Sequence, residues 1–569
     1  MASEPSPLPS EASVPDYIPE RSPSDSQRTL VMLFDGTGDK EDADVCVSEI
    51  CLSHRFLKLA QVTNIILLRN SLLGGEGNAH DEGKQVVYYQ QGIGTYEPRF
   101  REKKFKVPVV SFLSQIFDEA FAWSLPGHVT EAYIWLSNHY QPGDKISLFG
   151  FSRGAYTARV LAGMLNAVAL LPADKLDKAV EAYKLFDRKL PKAKTRNDPD
   201  VNTAWTNLRK DFAAFKKDNN CRSIGIDFIG CWDTVNSVGI IRPIKLKFTA
   251  NNKIVRVFRH ALALDEHRVR FKPNFWDPEH IVETEEDAPN TEGETTKSEG
   301  AAELNEKGKP EAKSETRNVA PFFKTDVEEV WFAGCHCDVG GGSVPNDTRP
   351  NLAHIPLRWM IREMFKMNTG IIFKSEMLRV IGIYPERLYP EVLPRPPPLP
   401  IPEVPEPKLP PPTKPTLLQT ITNLIPCVPG PKPKEFGLSP YGYISEEEHD
   451  LLDALAPTYD QLQLNTHLWK PLEIYPLVTE VYNADAPFPQ PHFVEERIAH
   501  KGIGRTIPSG TDAHGGKVKV HRSVKYYRMQ ATHVAGKEKD ENYEPRGLVG
   551  YGEKKGFTTV EETEFEWVA

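Results

Sequence analysis

The sequence predicts an α/β fold: a mostly parallel central sheet with helices on both faces, interrupted by disordered insertions. Three observations predict it. Short, nearly continuous apolar runs alternate with stretches of helical spacing, as expected of strands buried on both faces. The pentapeptide Gly150-Phe151-Ser152-Arg153-Gly154 stands between one such run and an apolar helix. Polar residues then follow the ends of other runs, where open parallel sheets place their working groups.

Taken in order, Thr29 to Phe34 is the first apolar run and stops at Asp35-Gly36, and Gln85 to Tyr89 is the second, ending at Gly92. Val129 to Tyr140 has helical spacing, with Ala132, Ile134, Trp135 and Leu136 available for one face. Lys145 to Phe149 is a third strand, followed by a long apolar helix from Arg153 to Leu170. Ser223 to Trp232 and Glu329 to Ala333 supply two more strands, the latter read as the last, and Leu352 to Met367 is again helical.

Composition sets the segments between these elements. The 569 residues are 40% hydrophobic and 26% charged, a globular balance with ample core. Residues 1–28, rich in Ser, Pro and Glu, read as a disordered tail without the basic start or apolar core of a secretory signal. Residues 29–388 read as the catalytic domain, holding a disordered acidic insertion at 283–317. Residues 389–434, with Pro396-Pro397-Pro398 and Pro410-Pro411-Pro412, read as an extended proline-rich insertion or linker. Residues 435–569 are then the C-terminal part of the same domain or a cap.

The net charge of -9 argues against nucleic acid as a partner. Seven scattered cysteines form no disulfide framework, which favours a reducing compartment. With no apolar run near the ~20 residues needed to span a bilayer, the expected location is cytoplasmic and any membrane contact peripheral. Phe112, Leu113, Ile116, Phe117, Phe121 and Trp123, within the segment Arg99 to Pro126, recur at helical spacing; they suit core packing better than an acyl-binding lid. Oligomeric state is not legible.

The chemistry concentrates at strand ends. A turn of the form G-x-S-x-G between strand and helix is a nucleophile elbow, in which the flanking positions must be small; Gly150, Gly154 and Ala155 are. Ser152 is the predicted nucleophile. A base and an orienting acid are expected in the chain order Ser, acid, His. Asp233 follows the strand ending at Trp232, and His336 follows the strand ending near Ala333 and precedes a flexible glycine run, Gly340-Gly341-Gly342. Arg153, through its backbone N–H, and the Asp35-Gly36-Thr37 loop are assigned to oxyanion or substrate binding, with Asp35 alternatively holding the loop. No metal or other cofactor is expected. Asp35, Asp233, His336 and Asp338 keep a metal-assisted phosphoesterase open as an alternative, and the proline-rich insertion keeps open a non-catalytic interaction protein.

These residues together resemble a known family, the α/β-hydrolase domain of type VI secretion phospholipase effectors, with uncharacterised bacterial and fungal members. The resemblance rests on Phe34 to Thr37, Tyr88 to Thr95, Gly150 to Arg159, Trp232 to Gly239, His260 to Glu266 and Trp331 to Gly342. It implies an α/β-hydrolase-like fold and a Ser152-Asp233-His336 triad acting on an acyl ester, with phospholipid as the substrate of the best-known members. The chain departs from the pattern at Gly38-Asp39, where Asn is common, and at Cys337, where Ser is usual.

Overall fold

In the computed structural model the predicted apolar runs become strands of one large sheet. The structure describes residues 14–21, 27–36, 62–75, 83–92, 125–191, 199–235, 247–249, 251–268, 271–276, 324–344, 348–400, 445–464, 473, 477–482, 493–498, 504, 505, 507, 517–529, 543, 545, 547 and 565–569. Its strands are β1 (Tyr17–Ile18), β2 (Thr29–Phe34), β3 (Gln85–Gln90), β4 (Lys145–Phe151), β5 (Ile226–Trp232) and β6 (Val255–Ala263). They continue with β7 (Asp326–Phe332), β8 (Phe373–Lys374), β9 (Leu477–Tyr482), β10 (Phe493–Ile498), β11 (Val518–His521) and β12 (Phe565–Val568). The helices are α1 (Asn64–Ser71), α2 (residues 125–139), α3 (Arg153–Val168), α4 (Ala179–Asp187), α5 (Pro199–Asp218) and α6 (His336–Gly340). After them come α7 (His354–Lys366), α8 (Ser375–Val380), α9 (Glu446–Ala454) and α10 (Gln461–Leu464).

Eight strands form the central sheet in the order β12-β11-β7-β6-β5-β4-β2-β3, and all of its pairings are parallel. The pleat divides the apolar side chains between two cores. Leu30, Met32 and Phe34 of β2 pack with residues of α2, α3 and α4, whereas Val31 and Leu33 pack with residues of α1 and α7. Both faces of β2 are therefore covered, which is why it reads as an unbroken apolar run. The chain moves from β2 outward to β3, then crosses back to β4 on the other side of β2. That reversal opens a crevice at the carboxyl ends of β2 and β4, the place where such sheets bind ligands.

Several boundaries differ from the expectation. Tyr17 and Ile18, inside the predicted tail, pair antiparallel with Lys374 and Phe373. Strand β6 was hidden by Arg256, Arg259 and His260, which interrupt its apolar pattern. Arg259 is buried but satisfied: its guanidinium reaches Glu363 at 2.8 Å and Asp326 at 3.2 Å. Nor is β7 the last strand, since β11 and β12 add to the sheet beyond it. The predicted acidic insertion and the apolar candidates between Phe112 and Trp123 lie outside the described residues. Among the described residues, no helix is long and apolar enough to cross a membrane.

The first residues of the proline-rich segment are fastened down rather than free. Arg395 meets Asp450 at 2.7 Å and Glu447 at 3.2 Å, Arg522 donates to the Pro396 carbonyl at 2.6 Å, and Leu399 N–H donates to the Tyr527 hydroxyl at 3.2 Å. The Arg395 pairs belong to a buried charge cluster on α9, where Ser445 and Glu448 cap the helix reciprocally. Arg358 on α7 binds Asp450 and Asp453, each at 2.7 Å, and Arg362 binds Glu446 at 2.7 Å. Replacing one partner of such a pair leaves a buried charge without compensation. Arg358→Ala should therefore lower the unfolding free energy by about 3–5 kcal/mol in urea titrations; a loss below 1 kcal/mol would mean that the cluster adds little to stability.

Candidate active site

The residues predicted to do chemistry meet at the carboxyl edge of the sheet. Ser152 ends the turn between β4 and α3 with φ 57° and ψ −121°, a conformation L-residues seldom adopt. Its backbone N–H donates to the Trp232 carbonyl at 3.0 Å, which ties the turn to β5. The turn closes only because its flanking residues are glycine. A Cβ on Gly150 would collide with the Ala155 backbone, and one on Gly154 with the carbonyl oxygens of Phe34 and Asp35.

Asp233 leaves β5 with φ 43° and is fully buried. His336 opens α6, which follows β7 through Gly334 and Cys335. The Asp233 carboxylate can only accept, so the His336 Nδ1–H donates to its Oδ2, at 2.5 Å. The opposite ring nitrogen, Nε2, then accepts from the Ser152 hydroxyl at 2.8 Å. Ser152, His336 and Asp233, predicted from three separate strand ends, thus form one continuous hydrogen-bonded chain.

The imidazole is walled by aromatic rings, Phe151 with its centroid 4.7 Å away and Phe271 edge-on at 4.8 Å. Burial lowers the His336 pKa below its ordinary 6.5, against the opposing pull of Asp233. Burial by itself would raise the Asp233 pKa, but the Arg505 charge and the hydrogen bonds from His336 and Arg505 prevail and hold the carboxyl far below the usual range. The resting site therefore pairs a neutral imidazole with an ionised carboxylate.

Arg505 was not anticipated from the sequence. Its guanidinium grips both oxygens of Asp233, Nη2 reaching Oδ2 at 2.8 Å and Nη1 reaching Oδ1. Two other acid–base pairs brace the site. Glu266 binds Arg268 at 2.7 Å and accepts the His336 backbone N–H at 3.2 Å. His260 accepts the Thr234 N–H on Nε2 at 3.0 Å, so its Nδ1–H donates to Glu329 at 2.8 Å. That fixes the loop just after Asp233. The stretch His260 to Glu266 was legible as a motif, but its bracing role was not.

The predicted glycine run is not loose. Gly340 completes α6 against the ring of Phe151, where a Cβ would collide, and Gly341, with φ 86°, bridges to Thr63 at the start of α1. Asp338 is spent on structure, accepting from Cys335 N–H at 2.9 Å and Tyr459 N–H at 3.0 Å.

The loop after β2 differs most from its assigned role. Asp35 accepts from Gly36 N–H at 2.8 Å, Thr63 Oγ1 at 2.7 Å and the Tyr89 hydroxyl at 2.8 Å. Its carboxylate holds the loop, the alternative that the sequence reading left open beside substrate binding. The Gly36 N–H, expected as an oxyanion donor, is turned onto that carboxylate in this conformation. Thr37 lies outside the described residues.

Burial raises the Asp35 pKa from 3.8 to about 6 despite the hydrogen bonds from Thr63, Gly36 and Tyr89. A raised folded pKa gives stability that is complete below the unfolded value and is lost as pH climbs through the folded one. Replacement by Asn removes that titration. In urea unfolding at several pH values, the stability of the parent relative to Asp35→Asn should fall between pH 3.8 and about 6 and level off above. Parallel curves for the two proteins would contradict the assignment.

Comparison with known proteins finds relatives of this chain. An uncharacterised protein of Saccharomyces cerevisiae, YEL023C, is 28% identical over 428 residues, covering 62% of this chain; the chain spans 58% of that relative's length. A crystal structure of an uncharacterised Pseudomonas aeruginosa protein aligns over 61% of this chain and 47% of its own, with 16% identity and a TM-score of 0.28. The Tle1 effector bound to the VgrG spike of the type 6 secretion system aligns over 56% of this chain and 51% of its own, with 15% identity and a TM-score of 0.23. The family model for the catalytic domain of Tle1-like T6SS phospholipase effectors matches residues 28–363, over half of the chain and the whole span from β2 through Ser152, Asp233 and His336, and the chain belongs to that family.

Proposed function

We propose that this chain is a serine hydrolase of carboxylic esters, with lipid esters as its substrate class and Ser152, His336 and Asp233 as its catalytic residues. The observation that carries the reading is the unbroken hydrogen-bonded chain from Ser152 Oγ through His336 to Asp233, at 2.8 and 2.5 Å. Membership of a phospholipase effector family supports the lipid class.

The chemistry follows from the tautomer. Ser152 Oγ attacks the acyl carbon as its proton passes to His336 Nε2, and Asp233 stabilises the imidazolium. The carbonyl oxygen becomes an anion beside the N-terminus of α3, where the backbone N–H of Arg153 is the proposed donor and the helix end favours negative charge. Collapse of this intermediate expels the alkoxide, which takes its proton from His336. Water, deprotonated by the same Nε2, then attacks the acyl-enzyme and releases the carboxylic acid and free Ser152.

Ser152→Ala should reduce turnover on a panel of short-chain, long-chain and phospholipid esters by about 10⁶-fold. Equal turnover by parent and variant would sink the serine assignment, and hydrolysis confined to short soluble esters would sink the lipid class. Protonation of His336 removes the base, so its lowered pKa places the acid limb of kcat/KM below pH 6.5. A midpoint at or above that value would contradict the buried, neutral imidazole.

A further inference from the structure

A carboxylate that orients an imidazole needs to accept only one N–H. Asp233 accepts four: from His336, from Ala263 N–H at 2.9 Å, and two from the guanidinium of Arg505. Arg505 lies 272 residues from Asp233 along the chain and outside residues 28–363, the span matched by the family's catalytic domain. It is 3% exposed and Asp233 is fully buried, so solvent hardly screens the pair. The same side chain donates to the Phe271 carbonyl, from Nε at 2.9 Å and Nη2 at 2.6 Å. Phe271 is the residue whose ring stands steeply inclined against the His336 imidazole. One guanidinium thus braces both the acid and the wall of the base.

Neighbouring bonds from the same part of the chain reach this edge. Tyr459 N–H donates to Asp338 at 3.0 Å, His267 pairs with Asp460 at 2.7 Å, the Tyr543 hydroxyl donates to Asp265 at 2.6 Å, and Gly547 N–H donates to the Leu264 carbonyl at 3.0 Å. Residues beyond the matched domain close over the acid side of the site.

We propose that Arg505 is a positioning residue for the hydrolase, fixing the plane of the Asp233 carboxylate and sharing its negative charge; this rests on the Ser152 reading above. A bidentate, charge-assisted pair sets the plane of the carboxylate more firmly than the single bonds from Ala263 N–H and His336 do by themselves. The guanidinium also compensates a buried anion during the resting state, when no imidazolium is present to do so. Its charge opposes protonation of His336. Without it, the bare carboxylate holds a proton on the imidazole more tightly, and the base stays occupied to higher pH. The other charged or titratable groups around His336 are Glu266 and Arg268, paired with each other after β6, and Cys335, Cys337 and Asp338 in its own turn. Of these, Glu266 also lies within reach of the Arg505 charge, which helps to keep its carboxylate ionised.

The test is the rate at which an alkyl fluorophosphonate modifies Ser152 in the full-length chain, followed from pH 5 to 9 by intact-protein mass spectrometry, with thermal unfolding recorded in parallel. Arg505→Gln should raise the midpoint of the acid limb by about one pH unit and slow labelling below it. Arg505→Lys, which restores the charge without the fork, should return the midpoint toward that of the parent while labelling stays slower. A labelling rate that falls with an unmoved midpoint makes Arg505 merely structural and overturns the proposal, as does an unchanged profile in Arg505→Gln. Should Arg505→Gln fail to fold, the lysine variant decides: labelling as fast as the parent overturns the positioning role. A parent chain that is never modified at Ser152 overturns the hydrolase reading instead, and the positioning role with it.

Discussion

The Asp233 carboxylate is the interaction on which the site depends. It is buried completely, and an ion taken out of water is tolerated only when donors replace the water. The donors come from widely separated parts of the chain: Ala263 at the end of β6, His336 after β7, and Arg505 near the C-terminal strands. Satisfying this one anion therefore fixes the spacing of three segments. His336 is held in a single tautomer as a consequence, and through it the Ser152 hydroxyl is aligned.

The sheet supplies the frame. Its strands are covered on both faces, so polar groups gather where the strands end, and the reversal between β2 and β4 leaves room there. The strained backbone at Ser152 is maintained because β4 and α3 are buried on either side of it and because Gly150 and Gly154 allow the turn to close. Asp35 serves the same frame from the other side, gathering Gly36, Thr63 and Tyr89 and so joining the ends of β2 and β3 to the start of α1.

How much of this the amino-acid sequence discloses depends on whether a feature is local. Strands β2 and β4 are legible because burial on both faces demands an uninterrupted apolar run. Ser152, Asp233 and His336 are legible because each directly follows such a run, and the geometry then joins them. Strand β6 is harder to see, since Arg259 and His260 are buried in it as members of ion pairs formed only in the fold. Arg505 has no local signature at all: its partner is 272 residues away, and nothing in the surrounding sequence distinguishes it from a surface arginine. The role of the Asp35–Gly36 loop stayed open for a related reason, because a sequence shows that an N–H is present but not that a neighbouring carboxylate has already claimed it. Likewise Arg395 and Pro396 look like linker until Asp450 and Arg522 are placed beside them.

The central claim is that Ser152 carries the acyl group during turnover. It is tested most directly by acid-quenching the parent chain within the first turnovers on a slowly hydrolysed long-chain ester and locating any added acyl mass by peptide mapping. The account predicts one acyl group on the peptide containing Ser152, formed and lost at rates compatible with turnover. Continued hydrolysis with no acylated peptide, or an acyl group on another residue, would contradict it.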